Sequence, residues 1–354
     1  MFGVRSPGSG VTNADLSSTP DSGLRTDLRT AFLQKVESRM AEPLAFLNGR
    51  LVPASEAHLA VYDAGVVLGA TVTELVRTFH KELFRLDDHL GRLAHSLHYV
   101  RFDIGMSIAE LAQTVRQLAA HNAGLLGPEE ELCLVVFVTA GEYSTYAGGA
   151  AGNVRTTPTV CAHTFPLPFE LWAAKIQAGV HLVTPSIRHV PPQCYDPKMK
   201  CRSRMHYYLA DQEARLVDSD ASALLLDLDG NVAETSAANF LIVEQGTIVS
   251  PTLRNTLPGV SRATVIELAA KLGIPFEVRD FQPFDAINAA EAFLASTPYC
   301  LMPVTKINGI PIGSGQPGPI YHRLVEAWSK LVDLDVLGQI VEGAKRRTGA
   351  ATQD

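Results

Sequence analysis

The sequence predicts an α/β (α+β) protein with two domains, and three observations indicate this fold class. The chain has 354 residues, of which 46% are hydrophobic and 19% charged, a globular composition and a length that suits two domains. Strand-like and helix-like segments alternate along most of it. Pro166 and Pro168 interrupt this succession and indicate a domain boundary. The predicted parts are a mostly disordered N-terminal extension (1–44), a small α/β domain (45–165), a linker (166–178), a large domain (179–340) and a disordered tail (341–354).

Composition also argues against several classes of protein. The net charge is −7 and no Lys/Arg cluster is present, so we expect no nucleic-acid partner. No apolar run has the length of a membrane span, so we expect no membrane partner. The histidines are scattered, which predicts no metal site. The five cysteines form no CxxC pair, so we expect reduced thiols in a cytoplasmic protein.

In the first half, the elements are predicted from turn residues and hydrophobic periodicity. Residues 25–40 have the periodicity of a short helix, and Asn48-Gly49 is a hairpin turn signal inside the stretch AFLNGRLVP. A strand–turn–strand then leads to a helix from about Asp87. Further elements are predicted as a helix at 107–122 and strands at 132–141 and 159–165.

In the second half, strands and helices alternate more clearly. A helix is predicted at 200–216, and a hairpin turns at Asp229-Gly230. A second helix begins near Ser261 and ends before Gly273, where a C-terminal glycine is expected. A strand follows in AFLAST, and the last predicted helix has Pro319 in its first turn.

The second half supplies, in one continuous order, the groups that hold a pyridoxal phosphate (PLP) cofactor. Lys200 opens the helix predicted at 200–216, and Glu234 is an acid at the end of a hairpin strand. The segment 257–262 opens a helix whose N–H groups suit a phosphate, and Ser296 and Thr297 add hydroxyls. Arg92 comes from the first half. A PLP site requires these groups: an imine-forming lysine, an acid for the ring nitrogen and a phosphate cup.

Several separated motifs identify the chain as a member of a known family. HVPPQCYDPKMK precedes the lysine helix, and ALLLDLDGNVAETSAANFLIV and AFLASTPYCLMPVTKINGIPIGSGQPGP follow it. In this order they resemble the fold-type IV PLP enzymes, the class IV aminotransferases, which include branched-chain and D-amino acid aminotransferases. The resemblance runs from about Leu47 to Val332. It implies two domains with PLP at their interface, and a homodimer.

The resemblance also implies roles for individual residues. Lys200 matches the Schiff-base lysine, whose freed amine is the general acid–base group. Glu234 matches the carboxylate that pairs with the ring nitrogen, and Arg92 the phosphate-binding arginine. Further cofactor-binding positions are matched by Asn239, Leu257, Val260, Ser261 and Thr297.

Two features of the sequence offer alternatives to these assignments. Lys198 is the rival lysine, but the spacing of DPxxK favours Lys200. The glycines at 313, 315 and 318 spell GxGxxG before a helix. Too little chain follows them for a dinucleotide-binding fold, so we interpret them as a turn.

Substrate recognition departs from the family pattern. Cys133 and Ala140 stand where arginines would hold a substrate carboxylate. Pro298 offers no N–H at a position where the family often uses one. The candidate substrate residues are Leu68, Thr73, Arg77 and Pro298, with Arg77 as a possible carboxylate partner. Tyr207, Tyr208 or Arg188 are candidates for the group that bonds the cofactor's ring oxygen.

These observations lead to one main functional hypothesis and two alternatives. The main one is a PLP-dependent, branched-chain-amino-acid-aminotransferase-like enzyme. It would move an amino group by ping-pong kinetics from an amino acid or amine to a 2-oxo acid. The second is a lyase resembling aminodeoxychorismate lyase, and the third a non-catalytic protein with the same fold.

Overall fold

The computed structural model describes residues 42–148 and 157–349. Residues from Pro43 onward form one compact unit. The N-terminal extension and the helix predicted at 25–40 lie outside the described residues, apart from 42–44. Inside the compact unit the strands form two sheets, and the site described below lies where segments of the two meet.

The first sheet has six strands, all antiparallel, in the order β2-β1-β6-β5-β3-β4. The predicted turn at Asn48-Gly49 joins β1 to β2, and both residues have positive φ, as the tight turn requires. The strands are β1 (Leu44–Leu47), β2 (Arg50–Pro53), β3 (Thr71–Phe79), β4 (Glu82–Leu83), β5 (Leu132–Thr139) and β6 (Thr159–Pro166).

Short and long helices accompany this sheet. Asp63 caps the one-turn helix α1 (Ala64–Val67) by accepting a hydrogen bond from Gly65 N–H. The longer helices α2 (Leu86–Val100) and α3 (Ile108–Gly124) cover one face of the sheet. Their buried residues recur at helical spacing and form one core with β3 and β5; examples are Leu86, Leu90, Leu93, Val115 and Leu118.

The second sheet has nine strands in the order β12-β11-β10-β13-β14-β7-β8-β9, with β15 paired to β14. The last strand on this path, β9, also pairs with β10 through Glu234 and Asn239, so the sheet curls back on itself. The strands are β7 (Val180–Val183), β8 (Ser222–Leu226), β9 (Val232–Thr235), β10 (Asn239–Glu244), β11 (Thr247–Ser250), β12 (Phe276–Val278), β13 (Glu291–Ser296), β14 (Cys300–Ile307) and β15 (Ile310–Pro311).

The helices of this part pack around the second sheet. They are α4 (Ala173–Ala178), α5 (Met205–Val217), α6 (Val260–Lys271), α7 (Pro283–Ile287), α8 (Pro319–Leu331) and α9 (Val336–Thr348). Gly273 has positive φ just past the end of α6. Gly318 precedes α8, which begins at Pro319, so the GxGxxG stretch is a turn ahead of a helix, as the sequence predicted. Among the described helices, none is long and apolar enough to cross a membrane.

Three segments differ from the sequence prediction. The predicted linker 166–178 contains a 3-10 turn (Phe169–Leu171) and α4. The predicted tail from residue 341 is helical as far as Thr348, because α9 buries Val336, Ile340 and Ala344 along one side. The lysine helix begins at Met205 rather than at 200.

Candidate active site

Lys200 lies in the long loop 184–204, which connects β7 to α5 and contacts the first sheet. Lys200 C=O accepts a hydrogen bond from Thr73 N–H on β3 (2.9 Å), and Arg202 N–H donates to Thr71 C=O (3.1 Å). Cys201 and Val72 form a β-bridge. This strand-like pairing uses the backbone groups that a helix would need, which explains why α5 starts five residues after Lys200.

The Lys200 side chain is half-buried and lines a cavity between the two sheets. Burial, with the nearby positive charges of Arg92 and Arg204, lowers the pKa of the Lys200 amine to about 8, although Glu74 and Glu234 oppose the shift. At this pKa roughly a tenth of the amine is neutral at pH 7, far more than for an ordinary lysine, and the neutral form is what a nucleophile or proton acceptor requires. Lys198, the rival, has 56% of its side chain exposed, pairs with Asp196 and does not line the cavity.

Glu234 is a buried carboxylate at the end of β9, facing the same cavity. Its partner in the β9–β10 register is Asn239, whose side-chain amide donates to Glu234 Oε2 (3.0 Å). Leu257 N–H donates to the same oxygen (3.1 Å). The other oxygen, Oε1, accepts from the phenol of Tyr207 (2.9 Å). These donors stabilise the ionised form of a group that burial alone would disfavour.

Arg92 reaches the cavity from α2 and is oriented by a fully buried carboxylate, Glu74 on β3. Arg92 Nε and Nη2 donate to the two oxygens of Glu74 (2.7 Å each), and Nη1 donates to Pro258 C=O (2.8 Å). His89 Nδ1 lies 2.9 Å from Glu74 Oε2. Because a guanidinium has five N–H groups, these three bonds leave two for another anion.

The first turn of α6 forms the cavity wall beside Arg92. The first N–H groups of a helix lack intrahelical acceptors and attract anions. Val260 and Ser261, the first two residues of α6, line the cavity. A side chain at Gly259 would collide with the amide of Asn239, so glycine permits this close approach. Asn239 also donates to Leu257 C=O (2.9 Å), which fixes the chain ahead of the helix.

All residues that the sequence suggested for cofactor binding therefore meet around one cavity. They are Arg92, Lys200, Glu234, Asn239, Leu257, Val260, Ser261 and Thr297. The arrangement combines an amine of lowered pKa, a buried carboxylate and a candidate anion-binding site formed by Arg92 and the start of α6. It can therefore bind a phosphate and a cationic ring nitrogen while the amine moves a proton. Within the described residues, no cluster of histidine, cysteine or acidic side chains could hold a metal ion.

The suggested substrate residues are not among those that line this cavity. Leu68 follows α1 and is 58% exposed. The hydroxyl of Thr73 is buried and donates to Val136 C=O (2.9 Å). Pro298 follows Thr297, and its C=O accepts from Arg77 (3.0 Å).

The expectation that Arg77 binds a substrate carboxylate needs correction, because its guanidinium is buried and already bonded to other groups of the protein. Besides Pro298 C=O, it donates to Gln339 Oε1 on α9 (2.7 Å) and to Thr78 C=O (3.1 Å). It also lies over the ring of Phe79, 3.9 Å from the centroid. These contacts make Arg77 a structural link between β3, the β13–β14 turn and α9.

Two of the candidates for bonding a ring oxygen point elsewhere, and the third is bonded to protein groups. Arg188 donates to the carbonyls of Pro185 and Ser186, and Tyr208 is 60% exposed. The phenol of Tyr207 contacts Glu234 and, at 2.9 Å, Nε2 of His189.

Sequence reasoning missed Arg204 and His206, which line the cavity just after Lys200. The guanidinium of Arg204 lies 4.8 Å from the Tyr207 ring centroid, and no hydrogen bond from it is found in the described part of the chain. His206 Nε2 is buried without a partner there. Burial, together with the neighbouring His189 and Arg204, lowers the pKa of His206 to about 4, so its ring is neutral. The pattern RMHYY after the lysine was their only sequence signal.

The Glu74 cluster predicts a loss of stability in acid. Although burial raises the pKa of Glu74, the ion pair and hydrogen bonds with Arg92 and the bond with His89 lower it from 4.5 to about 2. A lowered acid pKa stabilises the fold above about pH 4.5, and this contribution is lost as pH falls toward 2. We expect it to amount to ~3 kcal/mol. Urea unfolding between pH 7 and 3 should show about 2 kcal/mol of this loss, because the remainder is lost only below pH 3. A free energy of unfolding that stays constant below pH 5 would contradict it.

Comparisons with known proteins identify the family to which the chain is similar. The family model for amino-transferase class IV matches residues 71–307. D-alanine aminotransferase from Bacillus licheniformis is 31% identical over 282 residues, covering 79% of this chain and 94% of that protein. Branched-chain-amino-acid aminotransferase-like protein 1 from Arabidopsis thaliana is 30% identical over 83% of this chain. The chain spans about half of that relative, 51% of its length.

A solved structure shows the same fold. The branched-chain aminotransferase from the thermophilic archaeon Thermoproteus uzoniensis, crystallised with norvaline, superimposes with a TM-score of 0.72 at 27% identity. The match covers 86% of this chain and 97% of that one.

Proposed function

Because the chain belongs to the class IV aminotransferase family, we propose that it is a PLP-dependent transaminase that transfers an amino group from an amino acid to a 2-oxo acid. The observation that carries the proposal is the convergence of Lys200, Glu234, Arg92 and the start of α6 on one cavity. Two of these groups come from the second sheet or its helices, one from α2 and one from the connecting loop. Such a meeting of distant segments is typical of a binding site.

The residues of the cavity fit PLP by their chemistry. A phosphate dianion suits the two free N–H groups of Arg92 together with the first N–H groups of α6. A pyridinium nitrogen suits the Glu234 carboxyl group, which is buried and accepts hydrogen bonds from Asn239, Leu257 and Tyr207. His206 Nε2, a buried polar atom without a partner in the described part of the chain, indicates that the cavity is completed by a polar ligand.

When bound, PLP supplies an electron sink for the bonds of the substrate's α-carbon. Lys200 would hold the cofactor covalently and then, as a free amine, move the proton between the substrate carbon and the cofactor. Its lowered pKa makes the amine a proton acceptor near neutral pH. Glu234 would hold the ring nitrogen in its protonated state, and the α6 start with Arg92 would fix the position of the phosphate.

Arg204 supports a substrate with a carboxylate rather than a simple amine. It is a guanidinium in the cavity wall, four residues from Lys200 in the chain and close enough to lower the pKa of that amine. Arginine binds carboxylates through paired N–H groups. We therefore propose that Arg204 binds the carboxylate of the amino donor and of the 2-oxo acid. We also propose a homodimer, in line with the loop residues that members of this family borrow from a partner; Leu68, exposed and outside the cavity lining, supports this.

The proposal is tested by incubating the PLP-loaded protein with an amino donor and a 2-oxo acid acceptor and measuring the new amino acid. Leucine and D-alanine cover the two classes of relatives, and isoamylamine is the matched control that lacks the carboxylate of leucine. We expect transfer from an amino acid, with KM raised about tenfold or more in Arg204→Gln. Because isoamylamine has no carboxylate, its use should be the same in the parent protein and in Arg204→Gln. A KM for the amino acid that is unchanged in Arg204→Gln would refute the role of Arg204. Absence of transfer from every donor would overturn the proposed function. Pyruvate released from aminodeoxychorismate over many turnovers without an acceptor would support the lyase.

A further inference from the structure

Behind the Glu234 carboxylate, three side chains form a continuous line of hydrogen bonds. Tyr207 Oη lies 2.9 Å from Glu234 Oε1 and 2.9 Å from His189 Nε2. His189 Nδ1 lies 2.9 Å from Val190 C=O. His189 and Glu234 are both buried, and their nearest nitrogen and oxygen atoms are 3.6 Å apart. We call this line the His189 relay.

The number of protons in the His189 relay follows from its contacts. A carbonyl only accepts, so His189 Nδ1 must carry a proton to bond Val190. The phenol of Tyr207 has a single proton but makes two contacts, each of which needs a donor. A second proton must therefore lie at one end of the line, either on His189 Nε2 or on Glu234 Oε1.

The hydrogen bonds to Glu234 decide which end holds this proton. Glu234 Oε2 accepts from Asn239 and from Leu257 N–H, and such donors favour the carboxylate. Tyr207 donates its only proton to Oε1, so its contact with His189 is a hydrogen bond only if Nε2 of His189 donates to the phenol. The proton consequently resides on His189, and the resulting imidazolium compensates the buried negative charge of Glu234.

Other groups around His189 are consistent with this placement. On α5, His206 packs against the ring at 5.6 Å and is neutral, while Arg204 lies over Tyr207. On the outer side, Asp227 and Arg254 line a separate cavity together with His189. Asp227 is bonded to Asn255 (2.7 Å) and lies 3.7 Å from Arg254, so its charge is already compensated.

We propose that His189 is a positioning residue that acts through Tyr207 to keep Glu234 ionised and correctly oriented. The inference rests on the proposed function, because the purpose of a permanently ionised Glu234 is to pair with the cofactor's ring nitrogen. The relay itself is a property of this chain's own residues. It can therefore be tested in the protein before PLP is added.

The first experiment is nitrogen NMR of the cofactor-free protein labelled with ¹⁵N-histidine, with His189 assigned by its loss in His189→Gln. We expect both His189 ring nitrogens to be protonated at neutral pH, and one of them to lose its proton in Glu234→Gln. His181, which contacts Asp218 (2.7 Å) outside the cavity, is the matched histidine and should not respond to Glu234→Gln. A His189 ring with an unprotonated Nε2 in the parent protein would overturn the proposal.

The second experiment measures PLP affinity by absorbance titration. We expect His189→Gln and Tyr207→Phe each to weaken binding about tenfold or more, and the double variant to be no weaker than the poorer single variant. His181→Gln should bind PLP as the parent protein does.

The outcomes distinguish the relay inference from the proposed function. If His189→Gln and Tyr207→Phe both bind PLP as well as the parent protein does, the relay inference alone fails. If the parent protein binds no PLP, the proposed function fails, while the NMR result still decides the relay. Because Tyr207→Phe preserves the packing of the aromatic ring at position 207, this variant still tests the relay if His189→Gln does not fold.

Discussion

Lys200→Ala is expected to lower the transaminase rate by on the order of 10³-fold or more, because the variant lacks the amine that accepts and returns the substrate proton. It should also lose the covalent link to PLP. The measurement is the rate of amino transfer, together with peptide mass mapping after borohydride reduction. In the parent protein we expect the reduced label on Lys200.

Lys198→Ala is the matched control for this experiment. It removes a lysine two residues away that is exposed and pairs with Asp196 at 3.8 Å, so rate and labelling should be unchanged. A label on Lys198 in the parent protein would refute the assignment of the lysine. Retained activity in Lys200→Ala would refute its catalytic role.

Glu74→Gln is expected to lower the free energy of unfolding by about 3–5 kcal/mol, because it leaves the buried Arg92 without its counter-charge. Urea unfolding at pH 7 measures this loss. The PLP affinity should fall as well, since Arg92 is no longer held with its free N–H groups toward the cavity.

An exposed acid provides the control for Glu74. Asp88 pairs with Arg85 on the surface (2.6 Å), and Asp88→Asn should cost less than about 1 kcal/mol. The difference in the free energy of unfolding between the parent protein and Glu74→Gln should also narrow as the pH falls toward 3. The reason is that Glu74 then takes up a proton in the unfolded chain. If Glu74→Gln and Asp88→Asn lowered the free energy of unfolding by the same amount at pH 7, the ion-pair explanation would be contradicted.

The parts of the site that sequence predicted are those built from local segments. Glu234 and Asn239 are five residues apart on adjoining strands, and Leu257, Val260 and Ser261 lie at one helix start. Turn residues and a helix start are visible in a short stretch of sequence, and the resemblance to a family assigned their roles. Within this cofactor set, Arg92, Lys200 and Thr297 come from farther along the chain.

The parts that sequence missed depend on contacts between distant segments. Glu74 lies on β3, a strand buried on both faces, and no alternation distinguishes it as a partner of Arg92. The pairing of Lys200 with Thr73 overrides the helical periodicity that suggested a helix from 200. Arg77 resembled a free cation because its acceptor Gln339 is 262 residues away. By contrast, the spacing of Val336, Ile340 and Ala344 was a local helix signal that runs from the end of the predicted large domain into the predicted tail.

The backbone pairing of the Lys200 loop with β3 has a consequence for how the enzyme could be divided. Lys200 belongs by sequence to the second half of the chain, but its position is set by a strand of the first half. A fragment that begins after residue 166 would contain Lys200, Glu234 and the α6 start, yet it would lack the edge against which the lysine is held. Neither half expressed alone would be competent, and activity would return only when the two fragments reassociate.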